Sequence, residues 1–97
     1  MALLTDAEVQ ERLSALDGWR LATGDGPPSI ERGFKLPDFA AAMAFVNHVG
    51  DAAQAADHHP DILLHGWNKV LLTLSTHSQG GLTEADFALA GRIDGLS

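Results

Sequence analysis

Ala56-Asp57-His58-His59-Pro60 lies just past the middle of the 97-residue chain and separates two kinds of pattern. Before it runs an alanine-rich stretch with helical spacing, and after it come short alternating runs. A residue that precedes proline is pushed out of the helical region into an extended one. The histidine pair therefore marks the point where a helix gives way to a strand. A second histidine segment, Leu74-Ser75-Thr76-His77, closes a leucine and β-branched run just ahead of Gly80-Gly81. Both segments fall at element ends, where side chains can converge on a ligand while the backbone stays fixed.

Toward the N-terminus, Pro37-Asp38 is expected to open the central helix, with proline in the first turn and the carboxylate beside the positive helix end. Phe39, Ala42, Met43, Val46, Val49 and Ala53 are expected to form its apolar face over roughly 15 to 18 residues. His48 and Asp51 fall off that stripe, and His48 reads as a surface residue without a role. Ile30, Arg32, Phe34 and Leu36 alternate with Glu31, Gly33 and Lys35, which predicts a strand. Trp19 and Leu21 around Arg20 predict an earlier strand pairing with it. Between them, Thr23-Gly24-Asp25-Gly26-Pro27-Pro28 is a loop, since its prolines refuse ladder bonds. At Leu4-Thr5-Asp6-Ala7-Glu8-Val9, Thr5 and Glu8 form a capping box and Leu4 and Val9 a hydrophobic staple. That first helix, carrying Val9, Leu13 and Leu16, is expected to end at Asp17-Gly18.

Toward the C-terminus, Asp61 to Leu64 predict a short strand and His65-Gly66 an interruption. Val70, Leu72 and Leu74 should then face the core, with Thr73, Ser75 and His77 on the opposite side if the strand runs that far. Leu82-Thr83-Glu84-Ala85-Asp86-Phe87 repeats the opening device: Thr83 caps, Asp86 takes the third helical position, and Leu82 staples to Phe87. The order α-β-β-α-β-β-α suits one α+β domain over residues 1–97, a two-layer fold with a four-stranded antiparallel sheet and three helices packed on one face. The other sheet face is left for solvent, ligand or a second subunit.

Composition narrows the function. At this length roughly 60–65% of the unfolded surface can be buried, so the core is modest. With 45% apolar and 20% charged residues the chain reads as globular. Phe39 to Val46 is far short of the ~20 apolar residues a membrane span needs, and Met1-Ala2-Leu3-Leu4 has no basic start, so no signal peptide is expected. The absence of cysteine removes disulfides and thiolate metal sites and fits a cytoplasmic protein. A net charge of −7 would repel a phosphate backbone, which argues against direct nucleic-acid binding.

The histidines admit more than one role on spacing alone. Imidazoles near a helix C-terminus can cap free carbonyls and favour the dipole. Histidine is equally the side chain suited to proton transfer near neutral pH. A metal site is the weakest reading, because adjacent residues on extended backbone point apart and no His-x-x-x-His pair shares a helix face. Neither a nucleophile elbow around Ser75-Thr76 nor a phosphate loop at Gly24-Asp25-Gly26 is present. Trp19 and Trp67 read as core, with Trp67 close enough in sequence to wall a pocket.

Asp57-His58-His59-Pro60, then Trp67-Asn68-Lys69-Val70, Leu74-Ser75-Thr76-His77 and Gly80-Gly81-Leu82-Thr83-Glu84-Ala85-Asp86 resemble the pterin-4a-carbinolamine dehydratase family. Gly18-Trp19 and Asp38-Phe39 extend the resemblance over nearly the whole chain. It implies a hydro-lyase that removes water from 4a-hydroxytetrahydropterin to give quinonoid dihydropterin, so that tetrahydropterin spent by an aromatic amino acid hydroxylase is recycled. By matching position His58, His59 and His77 are the acid–base set. Asp57, Pro60, Trp67, Ser75, Thr76, Ser78 and Asp86 are the expected substrate-binding residues. Asp86 could orient a histidine or simply favour its helix N-terminus. The resemblance implies no metal or organic cofactor and points to a homodimer or homotetramer. The same family contains protein-binding members, including a dimerisation cofactor of a homeodomain transcription factor, and others that serve assembly. Three positions depart from its pattern. Gln54 stands where animal members carry glutamate, and Ile62 replaces an aromatic. The segment before Trp67 is one residue longer, with a bulge or wider turn expected to absorb it and His65 expected in the loop.

Overall fold

The computed structural model describes residues 2–22 and 24–96; Met1, Ser97 and Thr23 of the expected loop lie outside the described residues. The chain runs α1 (Asp6–Ser14), β1 (Arg20–Leu21), β2 (Ile30–Lys35), α2 (Phe39–Ala56), β3 (Asp61–His65), β4 (Lys69–Leu74), one 3₁₀ turn (His77–Gln79) and α3 (Glu84–Asp94). The four strands form one antiparallel sheet in the order β1-β2-β4-β3. The chain leaves β2 through α2, lands on the edge strand β3, and returns by a hairpin to fill the gap as β4. This is the α+β order and sheet the sequence predicts.

Alternation decides which side the helices cover. Val70, Leu72 and Leu74 of β4 and Ile30 of β2 are fully buried, while Leu71 and Thr73 stay partly exposed on the open face. Under the sheet, Phe34 packs on Phe45 of α2 with ring centroids 4.8 Å apart and meets Trp19 edge-on at 6.4 Å. Trp19 Nε1 and Arg32 Nη1 both donate to Asp94 Oδ1, at 2.8 and 2.6 Å, tying the end of α3 to the sheet. No helix among the described residues is long and apolar enough to cross a membrane.

Both expected capping boxes form. Glu8 N donates to Thr5 Oγ1 and Thr5 N to Glu8 Oε1, and the same device at Thr83 and Asp86 opens α3. Elsewhere the structure corrects the sequence reading. The first helix ends at Ser14, not at Asp17-Gly18, and Leu16 packs on the core from beyond it. Pro37 lies outside α2, whose cap is Asp38, its carboxylate accepting from Ala41 N at 2.8 Å. The buried stripe of α2 is Ala42, Phe45, Val49, Ala52 and Ala53, leaving Phe39 and Met43 about half exposed. The run from Phe39 to Val46 is apolar nearly all round, so periodicity could not choose a face; the fit of Phe45 against Phe34 chose it.

No bulge absorbs the extra residue near His65. Pairing is unbroken from Asp61↔Thr73 to His65↔Lys69, so His65 ends β3 and is not in the loop. The length goes into a three-residue turn in which Gly66 and Trp67 both take left-handed backbone, φ 54° and 61°. Asn68 anchors the turn: its side-chain amide donates to Leu36 O and its carbonyl accepts from Leu36 N. Trp67 is held at the tip and is 61% exposed, so the expectation of a core tryptophan fails.

Candidate active site

The end of α2 sets the site's geometry. Its cap, Asp57, takes left-handed backbone (φ 52°, ψ 42°), and His58 N reaches back to Ala53 O at 3.1 Å. Such a left-handed residue closes a helix by turning the chain sharply back across its last carbonyls. The helix thus stops three residues before Pro60, at Asp57, and the turn delivers His58 to the first turn of α3.

There His58 Nε2 lies 2.6 Å from Asp86 Oδ1. Asp86 is fully buried, and its other oxygen accepts from Thr76 Oγ1 and from Thr83 N, each at 2.9 Å. Thr76 and Thr83 hydroxyls are 2.8 Å apart, and Thr83 Oγ1 accepts from Ala85 N. A hydroxyl has one proton to give. Thr76 gives its own to Asp86, so at its contact with Thr83 it has only lone pairs to offer. Asp86, as a carboxylate, accepts on both oxygens. Nε2 of His58 therefore carries the hydrogen, and Nδ1 is the atom left to exchange a proton. A carboxylate behind a histidine fixes its tautomer and ring orientation in this way. No buried side-chain polar atom among the described residues lacks a partner.

His59 and His77 live differently. Both are exposed. His59 Nε2 meets Gln54 Oε1 at 3.1 Å, one α2 turn back, which again leaves Nδ1 open. His77 opens the 3₁₀ turn and lines a cavity of about 140 Å³ with Pro27, Ser29, Asp61, Thr73 and Ser75. His58 borders a different cavity of about 250 Å³, with Ala56, Ala85, Ala88, Leu89 and Arg92. The network joins these neighbourhoods, because Thr76, which holds Asp86, immediately precedes His77.

The fold gathers some of the expected set and not the rest. His58, Thr76 and Asp86 meet directly, and Ser75 and His77 share a cavity. Asp86, expected to touch substrate, is instead covered by His58 and the two threonines. Ser75 Oγ donates to Pro28 O at 2.8 Å, stitching the end of β4 to the loop before β2. Pro60 is half-buried, while Asp57 and Ser78 are exposed. Trp67 lies beyond the far end of β3, roughly 13 Å of strand from Asp61 at the usual rise. Two features were not singled out from sequence: the Gln54–His59 contact and Asp61, whose pairing with Thr73 places it beside His77's cavity. Among the described residues no group of three His, Cys, Asp or Glu side chains is arranged to hold a metal ion.

Known proteins share this sequence and this fold. A relative from Acidobacterium capsulatum, provisionally named a pterin-4-alpha-carbinolamine dehydratase, is 51% identical over 96 residues, covering 99% of both chains. One of the same provisional name from Roseiflexus castenholzii is 52% identical over 93 residues, covering 96% of this chain and 95% of its own. Among solved structures, a transcriptional coactivator/pterin dehydratase from Brucella melitensis superposes with a TM-score of 0.88 at 39% identity, covering 98% of both chains. A pterin dehydratase-like protein described as a RuBisCO assembly factor in the alpha-carboxysome matches with a TM-score of 0.67 at 29% identity, over 81% of this chain and 88% of that one. The sequence profile that matches residues 2–96 is that of pterin 4 alpha carbinolamine dehydratase, and the chain belongs to that family.

Proposed function

We propose that the protein is a hydro-lyase that dehydrates 4a-hydroxytetrahydropterin to quinonoid dihydropterin and water. The observation that carries the proposal is the buried His58–Asp86–Thr76 network, which fixes one imidazole and ties its segment to the one bearing His77. Loss of water breaks the C4a–O bond and removes a proton from N5, whose electrons form the new C4a=N5 double bond. One protonated imidazole supplies the proton that leaves with the hydroxyl, and a neutral one accepts the proton from N5. His59 and His77 are the exposed rings able to meet substrate, and His58 is the inner ring held by Asp86. The two transferred protons balance, so the histidine set returns to its starting charge after exchange with solvent. The reaction would serve a cytoplasmic tetrahydropterin cycle in which an aromatic amino acid hydroxylase generates the substrate.

The test is direct. Carbinolamine generated by such a hydroxylase should lose water faster in the presence of purified protein, equally well after chelation, as read by the absorbance of quinonoid dihydropterin. A rate no greater than in buffer removes the proposal, and activity that vanishes with chelator and returns with zinc removes its acid–base mechanism.

A second reading, a protein-binding module, is favoured by one feature: α2 leaves Phe39 and Met43 in solvent, and edge strand β3 leaves Ile62 and Leu63 there. We assign these surfaces first to a homodimer or homotetramer, since an open edge and an apolar helix face are relieved by a second copy. Light scattering at micromolar concentration should show a particle of at least twice the 10.3 kDa chain mass; a monomer would contradict the assignment.

A further inference from the structure

We propose that Asp61 is the specificity residue of the site, its carboxylate reading the 2-amino-4-oxopyrimidine edge of the pterin. The inference rests on the dehydratase reading and extends it from the reacting atoms to the recognition of the ring. Asp61 opens β3, two residues after His59, and lines the same cavity of about 140 Å³ as His77. A cavity near 150 Å³ holds a benzene-sized ring, so this one is matched to one ring of a bicyclic heterocycle and not to the whole. Seating the pyrimidine ring there leaves C4a at the ring fusion and N5 beyond it, within a site that His77 also lines.

The register shows why Asp61 is the group available. Thr73 pairs with Glu31 on one side and Asp61 on the other, so two carboxylates flank it on the open sheet face. Glu31 is engaged, its Oε2 accepting from Arg20 Nη2 at 2.6 Å. Ser75 has given its proton to Pro28 O. Asp61 has no hydrogen bond or ion pair among the described residues. It is the carboxylate lining this cavity, and it is left without a partner in a chain that is already acidic.

The pterin edge supplies what such a group lacks. N3–H and one N–H of the 2-amino group point the same way, a parallel pair of donors that a carboxylate accepts with both oxygens. A 2-oxo ring (the lumazine counterpart) offers N3–H beside a carbonyl, which would face the carboxylate lone pair to lone pair. Asparagine has the opposite preference. Its oxygen accepts from N3–H while its amide donates to the 2-oxo group, and it can satisfy only one of the two pterin donors.

The experiment measures equilibrium binding of 7,8-dihydropterin and 7,8-dihydrolumazine to wild type, Asp61→Asn and Asp61→Ala, with KM and kcat for dehydration alongside. Hydrogen bonds to a charged group correspond to about 10- to 100-fold in affinity. Wild type should prefer the 2-amino ring by about that factor, Asp61→Asn should lose or reverse the preference, and Asp61→Ala should bind both weakly and nearly equally. KM should rise in both variants while kcat changes by less than about threefold, as for an interaction made equally in ground and transition states. Because Asp61 is exposed, both variants should melt with wild type. If wild type binds dihydropterin but Asp61→Asn keeps the wild-type preference within twofold, Asp61 is not the reader and the dehydratase reading stands. If wild type binds neither ring, both fall together.

Discussion

His58 lies mostly under the surface with its ring nitrogen 2.6 Å from a fully buried carboxylate, whereas His59, the next residue, stands in solvent with one 3.1 Å contact to the Gln54 amide. One backbone step separates an imidazole whose every neighbour is fixed from one that is free to meet a ligand. The difference comes from Asp57: its left-handed turn sends His58 inward to α3 and lets Pro60 carry His59 back out toward β3. The inner network sets geometry and is part of the core's stability. The rim, His59, Asp61 and His77, is where chemistry can be added or removed at little structural cost.

Removing the centre of the inner network gives the largest effect. Asp86→Ala leaves Thr83 N, Thr76 Oγ1 and His58 Nε2 without their common acceptor. Breaking a buried pair of this kind costs about 3–5 kcal/mol, which for a chain this short lowers the melting temperature by more than about 12 °C. Turnover should fall with it. A variant that melts within a few degrees of wild type would show that the network is not what holds this corner together.

The junction itself should respond far less. Asp57→Gly keeps the left-handed turn and relieves its side-chain strain, so the protein should melt at or slightly above wild type, by at most about 1–2 kcal/mol. Any rise in KM then belongs to the lost carboxylate and reports contact with substrate. Clear destabilisation would mean that the Asp57 side chain, and not its backbone, makes the turn.

The smallest effect lies on the outer surface between α1 and α3. Glu84 is held below the usual carboxylate range by its hydrogen bond from Arg12, and Glu8 by the backbone hydrogen bond from Thr5. A carboxylate depressed in the folded state adds stability above its unfolded value, about pH 4.3, and loses it as pH falls toward the folded value. Glu84→Gln should therefore flatten the melting profile below about pH 4.3, weakly and less so in high salt, because both groups face solvent. An unchanged acid limb would remove the Arg12 contact from the account.

What could be read from the sequence divides along the same line. Local devices were legible: the boxes at Thr5–Glu8 and Thr83–Asp86, and the alternation of β2 and β4, depend on residues a few positions apart. The face of α2 was not, because an alanine-rich helix with Phe39, Met43 and Phe45 offers several equivalent stripes until Phe34 is in place. For Asp86 the sequence offers helix capping or orientation of a histidine with nothing to choose between them, and in the fold one oxygen meets His58 while the other accepts from Thr83 N. The sequence signal came from one box, but the His58 contact spans 28 residues and needs the αL turn at Asp57. Asp61 escaped notice because an acidic residue at a strand start is ordinary until its cross-strand partner is known to be Thr73.

The most direct test of the central claim, that the inner ring is held by structure while the outer rings meet substrate, is turnover and thermal melting on the same five single variants and one double variant. His59→Ala and His77→Ala should each lower turnover per folded molecule by roughly 10²–10⁴-fold, the range for a positioned acid or base, and melt with wild type. Together they should lose less than the product of the single effects, as groups acting as a unit do. His58→Ala should lose both turnover and about 1–3 kcal/mol of stability, since it leaves a buried carboxylate oxygen unpaired. His48→Ala and His65→Ala should change neither. If the His58, His59 and His77 variants turn over normally per folded molecule, these histidines are structural, and the acid–base account is contradicted.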